Sequence, residues 1–84
     1  MAGDLGDDSE FLRDLGLRVR LFRVARGLSQ DELARVSGVS RVTLGSIERG
    51  EHAASLLAYR KLSIAFAVGL GELLGEGEVL PPRR

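Results

Sequence analysis

The sequence predicts an all-α fold, a compact arrangement of five helices built around two short helices joined by a tight turn. Three observations point there. Between residues 28 and 50, LSQDELARVSGVSRVTLGSIERG sets serines and glycines where helices start and stop. Apolar residues recur at helical spacing on both sides of that stretch. The chain has 84 residues, near the lower limit for a self-supporting core, and a helical bundle is the economical solution at that size.

Within the central stretch, Ser29 can cap the first short helix, and Glu32, three residues on, can reach back to complete a capping box. Gln30 to Val36 makes one to two turns with Leu33 and Val36 on a shared face. Ala34 is small where the two helices would cross. Ser37-Gly38-Val39 is the break, where Gly38 can take the positive φ that ends a helix. Ser40 offers a second cap, Arg41 to Arg49 forms the next helix with Leu44 and Ile47 facing inward, and Gly50 closes it. That is the layout of a helix-turn-helix. On periodicity alone, an ordinary helical hairpin reads the same way.

Upstream, Asp8 or Ser9 can cap a first helix that runs to about Arg26 and stops at Gly27, with Glu10 in its favourable first turn. Leu12, Leu15, Val19 and Phe22 fall in one sector and make its core stripe. Gly16 within it costs up to ~1 kcal/mol relative to Ala. Leu17, Leu21 and Val24 form a second stripe nearly opposite. A helix apolar on both sides must have both covered or carry an exposed patch.

Downstream, Glu51-His52-Ala53-Ala54 reads as a loop, and Ser55 caps a helix spanning about Leu56 to Ala67. Leu56, Tyr59, Leu62, Ala65 and Phe66 make its inward face, with Leu57 and Ile64 off it. Gly71 to Leu74 is a short fifth helix ending at Gly75. The chain thus divides into an N-terminal arm over 1–8, a domain over 9–75 with its helix-turn-helix at about 29–50, and an extended tail, EGEVLPPRR, over 76–84.

Several function classes fall away. There is no cysteine and one histidine, so no disulfide framework and no thiolate metal site. No apolar run approaches the ~18 residues of a membrane span, which makes the cytoplasm the expected compartment. No nucleophile–base set and no phosphate-cradling glycine loop is visible, so neither an enzyme nor a cofactor is expected. Ser29, Ser40 and Ser55 read as caps rather than nucleophiles. Formal net charge is zero, but it is unevenly spread. Residues 1–17 hold five acids and one base, whereas residues 18–50 hold seven arginines against three acids, a net of +4. The positive field belongs to the helix-turn-helix segment.

GLSQDELARVSGVSRVTLGSIERG resembles the Cro/repressor-type (xenobiotic-response-element, XRE) helix-turn-helix family, whose pattern runs Gly-Leu-Ser-Gln-x-Glu-Leu-Ala, Ser-Gly-Val-Ser, Ile-Glu-Arg-Gly. The likeness extends to Leu15-Gly16-x-Arg18-Val19-Arg20, to Ser55-Leu56 and to Glu72-Leu73-Leu74, covering about residues 15–75. It implies a lambda-repressor-like DNA-binding domain that binds double-stranded DNA sequence-specifically. The expected protein is a small homodimeric prokaryotic transcriptional regulator, a repressor, that reads a palindromic operator. Carried over by position, Arg41, Val42 and Ser46 would contact bases. Arg18, Ser29, Gln30, Ser40, Thr43 and Arg49 would contact phosphates. Arg23 and Glu48 would form a buried ion pair, and Leu70, Leu73 and Leu74 would line the dimer interface. No small-molecule ligand is expected. Gly45 is unusual at its position, either a tolerated surface glycine or one that lets the helix sit deeper in a groove. Ala67 and Gly69 depart from the family, which often has Gly and then Ser or Thr there. The alternative is an antitoxin-like or adaptor module that holds a partner protein on its surplus apolar stripe, with DNA binding secondary.

Overall fold

Backbone amides at helix starts need acceptors, and Ser29, Ser40 and Ser55 supply a side-chain oxygen at three of them. The computed structural model describes residues 8–51 and 53–75. Its helices are α1 (Asp8–Ala25), α2 (Gln30–Ser37), α3 (Arg41–Arg49), α4 (Leu56–Phe66) and α5 (Leu70–Leu73), with no strand among the described residues. The arm expected over 1–8 (Asp8 apart), His52 of the loop and the tail over 76–84, with Val79 and Leu80, lie outside the described residues.

Ser29 Oγ accepts from the Glu32 amide at 3.0 Å, and the Ser29 amide donates to Glu32 Oε1 at 2.8 Å, so the capping box is complete. That backbone bond from Ser29, helped by its side chain, holds the Glu32 carboxyl below the usual carboxylate range. Ser40 and Ser55 cap α3 and α4 through the amides of Thr43 and Ala58, each at 3.1 Å. Gly38 ends α2 at φ 81° and Gly50 ends α3 at φ 69°, a region L side chains rarely enter. Ala67 ends α4 at φ 60° without being glycine, so the helix stops one residue short of the expected span. α1 includes Asp8 and Ser9, the two residues expected to precede it.

The core gathers Leu15 and Val19 from α1, Leu33 from α2, Val39 from the turn, Leu44 and Ile47 from α3, Tyr59, Leu62 and Phe66 from α4, and Leu73 from α5. Phe22 stacks on Phe66 with ring centroids 5.4 Å apart. Arg26 lies over both rings and donates through Nε to the Phe66 carbonyl at 2.9 Å.

Three expectations about faces need correction. Val36 is exposed, because α2 buries Leu33 with Ala34 and Ser37 on its other flank, which turns Val36 outward. Leu56 is also exposed; the inward face of α4 centres on Tyr59, Leu62, Ser63 and Phe66, and Leu56 stands about 70° to one side of it. Leu73, expected at a dimer interface, has no exposed surface at all. Arg18 draws it in: its Nε donates to the Leu73 carbonyl at 2.8 Å and its Nη2 to the Glu72 carbonyl, fastening the end of α5 to α1. Leu17, Leu21 and Val24, and likewise Leu57 and Ile64, do lie in solvent.

α1 and the end of α3 meet backbone to backbone. A Cβ on Gly16 would stand 2.3 Å from the Ile47 carbonyl oxygen and 2.8 Å from that of Glu48. A Cβ on Gly50 would stand 2.8 Å from Arg13 Cα. The obstacles are backbone atoms, which cannot rotate away. Helix propensity alone would make Gly16→Ala stabilising by ~1 kcal/mol. The packing reverses that sign, and Gly16→Ala should lower stability by about 1–3 kcal/mol, or more, in urea unfolding. An unchanged or raised midpoint would mean that the helices do not approach this closely.

Candidate nucleic-acid interface

A helix can present one face to a ligand only if its other face is held. α3 is held by Leu44 and Ile47, which are fully buried, and by a polar junction at Glu48. Glu48 Oε2 accepts from Arg23 Nε at 2.7 Å, and Oε1 accepts from Arg23 Nη2 at 3.1 Å and from Gln30 Nε2 at 2.9 Å. Arg23 Nη1 donates to the Leu28 carbonyl at 2.8 Å. One carboxylate therefore ties α1, the start of α2 and the end of α3 together. The side chains of Arg23 and Glu48 are 13% and 4% exposed. The bond to Glu48 raises the Arg23 pKa against the opposing effect of burial, so the guanidinium stays charged throughout the usable pH range. Among the described residues, no buried side-chain nitrogen or oxygen lacks a partner.

The outer face of α3 carries Arg41 and Val42 near its N-terminus, and Val42 is 77% exposed. Ser46 does not join them. It is buried, at 8% exposed, where Val42 stands in solvent. Gly45 lies between Arg41 and Arg49, whose Nη1 atoms would each stand 3.1 Å from a Cβ placed there. Their guanidinium groups converge over it and bury it. Arg41 Nε pairs with Asp31 Oδ1 at 3.1 Å, and Arg49 makes a two-pronged bond to Glu51, Nε to Oε2 at 2.8 Å and Nη2 to Oε1 at 3.1 Å.

The residues expected to touch phosphate separate into two groups. Ser29, Ser40 and Thr43 cluster at the N-termini of α2 and α3; Ser40 Oγ donates to Thr43 Oγ1 at 2.9 Å, which leaves the Thr43 hydroxyl proton for another acceptor. Gln30 spends one amide proton on Glu48 and keeps the other. Arg18 stands apart from them in its partners: it donates to the α5 carbonyls and lies over the Phe22 ring. A groove of about 410 Å³ runs beside the start of α3, lined by Val39, Ser40, Thr43, Ser55, Leu57 and Lys61. It brings Lys61 next to the capping serines, a placement that nothing local in the sequence announces.

No helix of the described residues is long and apolar enough to cross a membrane, and none of their acidic or histidine side chains group in threes that could hold a metal ion. Comparison with known proteins assigns the architecture. A helix-turn-helix family model, HTH_3, matches residues 19–73. The chain belongs to that family. Over 83 residues it is 34% identical to the Neisseria hypothetical transcription factor of Neisseria meningitidis serogroup B, a match covering 99% of this chain and 74% of that protein. Its fold superposes on the crystal structure of that factor with a TM-score of 0.72, at 35% identity over 94% of this chain and 85% of the other. It is also similar to the restriction-modification controller protein C.AhdI from Aeromonas hydrophila, with a TM-score of 0.71, 42% identity, and coverage of 74% of this chain and 94% of that one. A chain of the SinR protein/SinI protein complex is similar at a TM-score of 0.70 and 35% identity, over 80% of this chain and 67% of that one. This HTH_3 chain is accordingly a DNA-binding protein of the transcription-factor type, from a family of regulators rather than enzymes.

The Glu48 junction makes a measurable claim. Removing one partner of a buried pair leaves the other uncompensated, at roughly 3–5 kcal/mol when burial is complete. Arg23→Ala and Glu48→Ala should each approach that range in urea unfolding. Replacing both with well-packed apolar residues should cost much less than the two single losses together. Small, equal single effects would mean that the pair does not anchor α3.

Proposed function

We propose that this HTH_3 protein is a small homodimeric regulator, a repressor acting in a prokaryotic cytoplasm, that sets α3 into the major groove of a palindromic operator. Val42 carries the reading. A large apolar side chain stands almost fully in water on the exposed face of α3, beside Arg41, and nothing in the fold rewards it there. A thymine methyl would cover Val42, and guanine O6 and N7 would take the Arg41 fork. Ser29, Ser40 and Thr43, with the adjoining helix N-termini, suit phosphate oxygens, and Ser55 and Lys61 extend that line along the groove.

A second copy would serve two needs. A single short module makes few base contacts, and a two-fold partner doubles them across half-sites about one helical turn apart. It would also cover apolar surface: Leu17, Leu21 and Val24 on α1, or half-buried Leu70 and Leu74 at the C-terminal end, now without Leu73. The same exposed residues support a second reading, an adaptor or antitoxin-like module that holds another protein, and the likeness to a chain of the SinR protein/SinI protein complex favours keeping it.

Selection of bound fragments from random DNA, followed by mobility shift of the purified protein, separates the two. The regulator should enrich a palindrome and bind it unaided. Arg41→Ala should cost about 1–3 kcal/mol and relax one operator position, while Lys61→Ala should weaken all sequences alike and lower the salt slope by about one unit. Sedimentation should give a dimer, lost in Leu21→Asp or in Leu70→Asp according to which surface meets. A wild-type monomer at tens of micromolar contradicts the dimer, and no enrichment contradicts the DNA reading in favour of the adaptor.

A further inference from the structure

Arg41 and Arg49 are eight residues apart on α3, about 12 Å along its axis, and would ordinarily act independently. Gly45, midway between them, changes that. With no side chain to separate them, both guanidinium groups fold onto the same point on the outer face of the helix, each with an Nη1 atom 3.1 Å from where a Cβ would begin. Any larger residue would stand between the two forks. Two like charges brought together need compensation, and each has its own carboxylate: Asp31 on Arg41, Glu51 on Arg49. The bond to Glu51 raises the Arg49 pKa, so the second cation stays charged beside the first. Asp31 comes from α2 and Glu51 from the residue after the Gly50 cap, so the two forks are approached from opposite ends of α3.

We infer that Gly45 makes Arg41 and Arg49 a joined reading head for two neighbouring guanines in the operator. The inference rests on α3 entering the major groove. A guanine presents O6 and N7 as paired acceptors there, matching one arginine fork. Neighbouring bases on a strand are about 3.4 Å apart along the helix axis, which suits two forks meeting over one residue rather than two spread along a helix. Arg49 thereby moves from the phosphate contact its position suggests to a base contact. Gly45 becomes a specificity-determining residue without touching DNA: it permits the convergence.

The chemistry also tells these roles apart. Lysine keeps the positive charge needed at a phosphate but lacks the planar fork needed at guanine. The experiment is a binding-site selection with wild type, Arg41→Lys, Arg49→Lys and Gly45→Ala, each checked by thermal melting. Wild type should select two neighbouring guanines in each half-site. Arg41→Lys and Arg49→Lys should each lose about tenfold or more discrimination at a different one of them. Gly45→Ala should weaken both positions while melting no lower than wild type, since alanine favours a helix and the atoms it meets are the ends of flexible side chains. That last result excludes a merely structural role for Gly45. If wild type is sequence-selective but Arg49→Lys leaves the profile unchanged, Arg49 holds phosphate and the joined head is refuted alone. If wild type selects no sequence, the groove reading falls with it.

Discussion

The carboxylate of Glu48, pressed beneath α3 where α1 comes closest, is the constraint on which the rest depends. Two conditions meet there. Gly16 and Gly50 let the backbones of α1 and α3 approach until no Cβ fits between them. At that separation Glu48 is out of water, and its charge is tolerable only because Arg23 and Gln30 supply three hydrogen bonds. Neither condition works alone. Without the glycines the forks could not reach, and without the ion pair the close approach would strand a charge. Together they fix both the distance and the angle of α3.

That fixed angle divides the polar residues of the helix-turn-helix into two kinds. Arg18, Arg23 and Arg26 hold the molecule together, on the α5 carbonyls, on Glu48, and on the Phe22 and Phe66 rings respectively. Arg41 and Arg49 face outward and are answered only by exposed acids, Asp31 and Glu51. An exposed ion pair is worth little and is readily exchanged for a better partner. The positive balance read over residues 18–50 is therefore real, but much of it is spent inside the fold, on Arg18, Arg23 and Arg26.

What is local was legible in the sequence. The capping box at Ser29 and Glu32, the caps at Ser40 and Ser55 and the terminating Gly38 and Gly50 act within four residues of themselves, so spacing alone revealed them. The bounds of α3 followed, and so did the exposed second stripe of α1. What depends on partners distant in the chain was not legible. Leu73 looked like interface because nothing near it announces that Arg18, 55 residues away, pulls its carbonyl inward. Ser46 looked exposed because periodicity gives a residue's direction but not its burial, and it is 8% exposed. Gly16 read as a weak point in a helix, when the opposing carbonyls of Ile47 and Glu48 make it a requirement. Gly45 read as either neutral or a means of deeper docking, whereas it is covered by two arginines that sequence spacing leaves apart.

If α1 and α3 form one unit through Gly16 and Glu48, neither can open without the other. Native-state hydrogen exchange along a urea series measures this directly. The amides of Leu44, Ile47 and Glu48 on α3 and of Val19 on α1 should exchange through the same opening, with the same free energy and the same urea dependence. Exchange of the α3 amides through a smaller opening while Val19 remains protected would contradict it, because α3 would then be held by something weaker than its contact with α1.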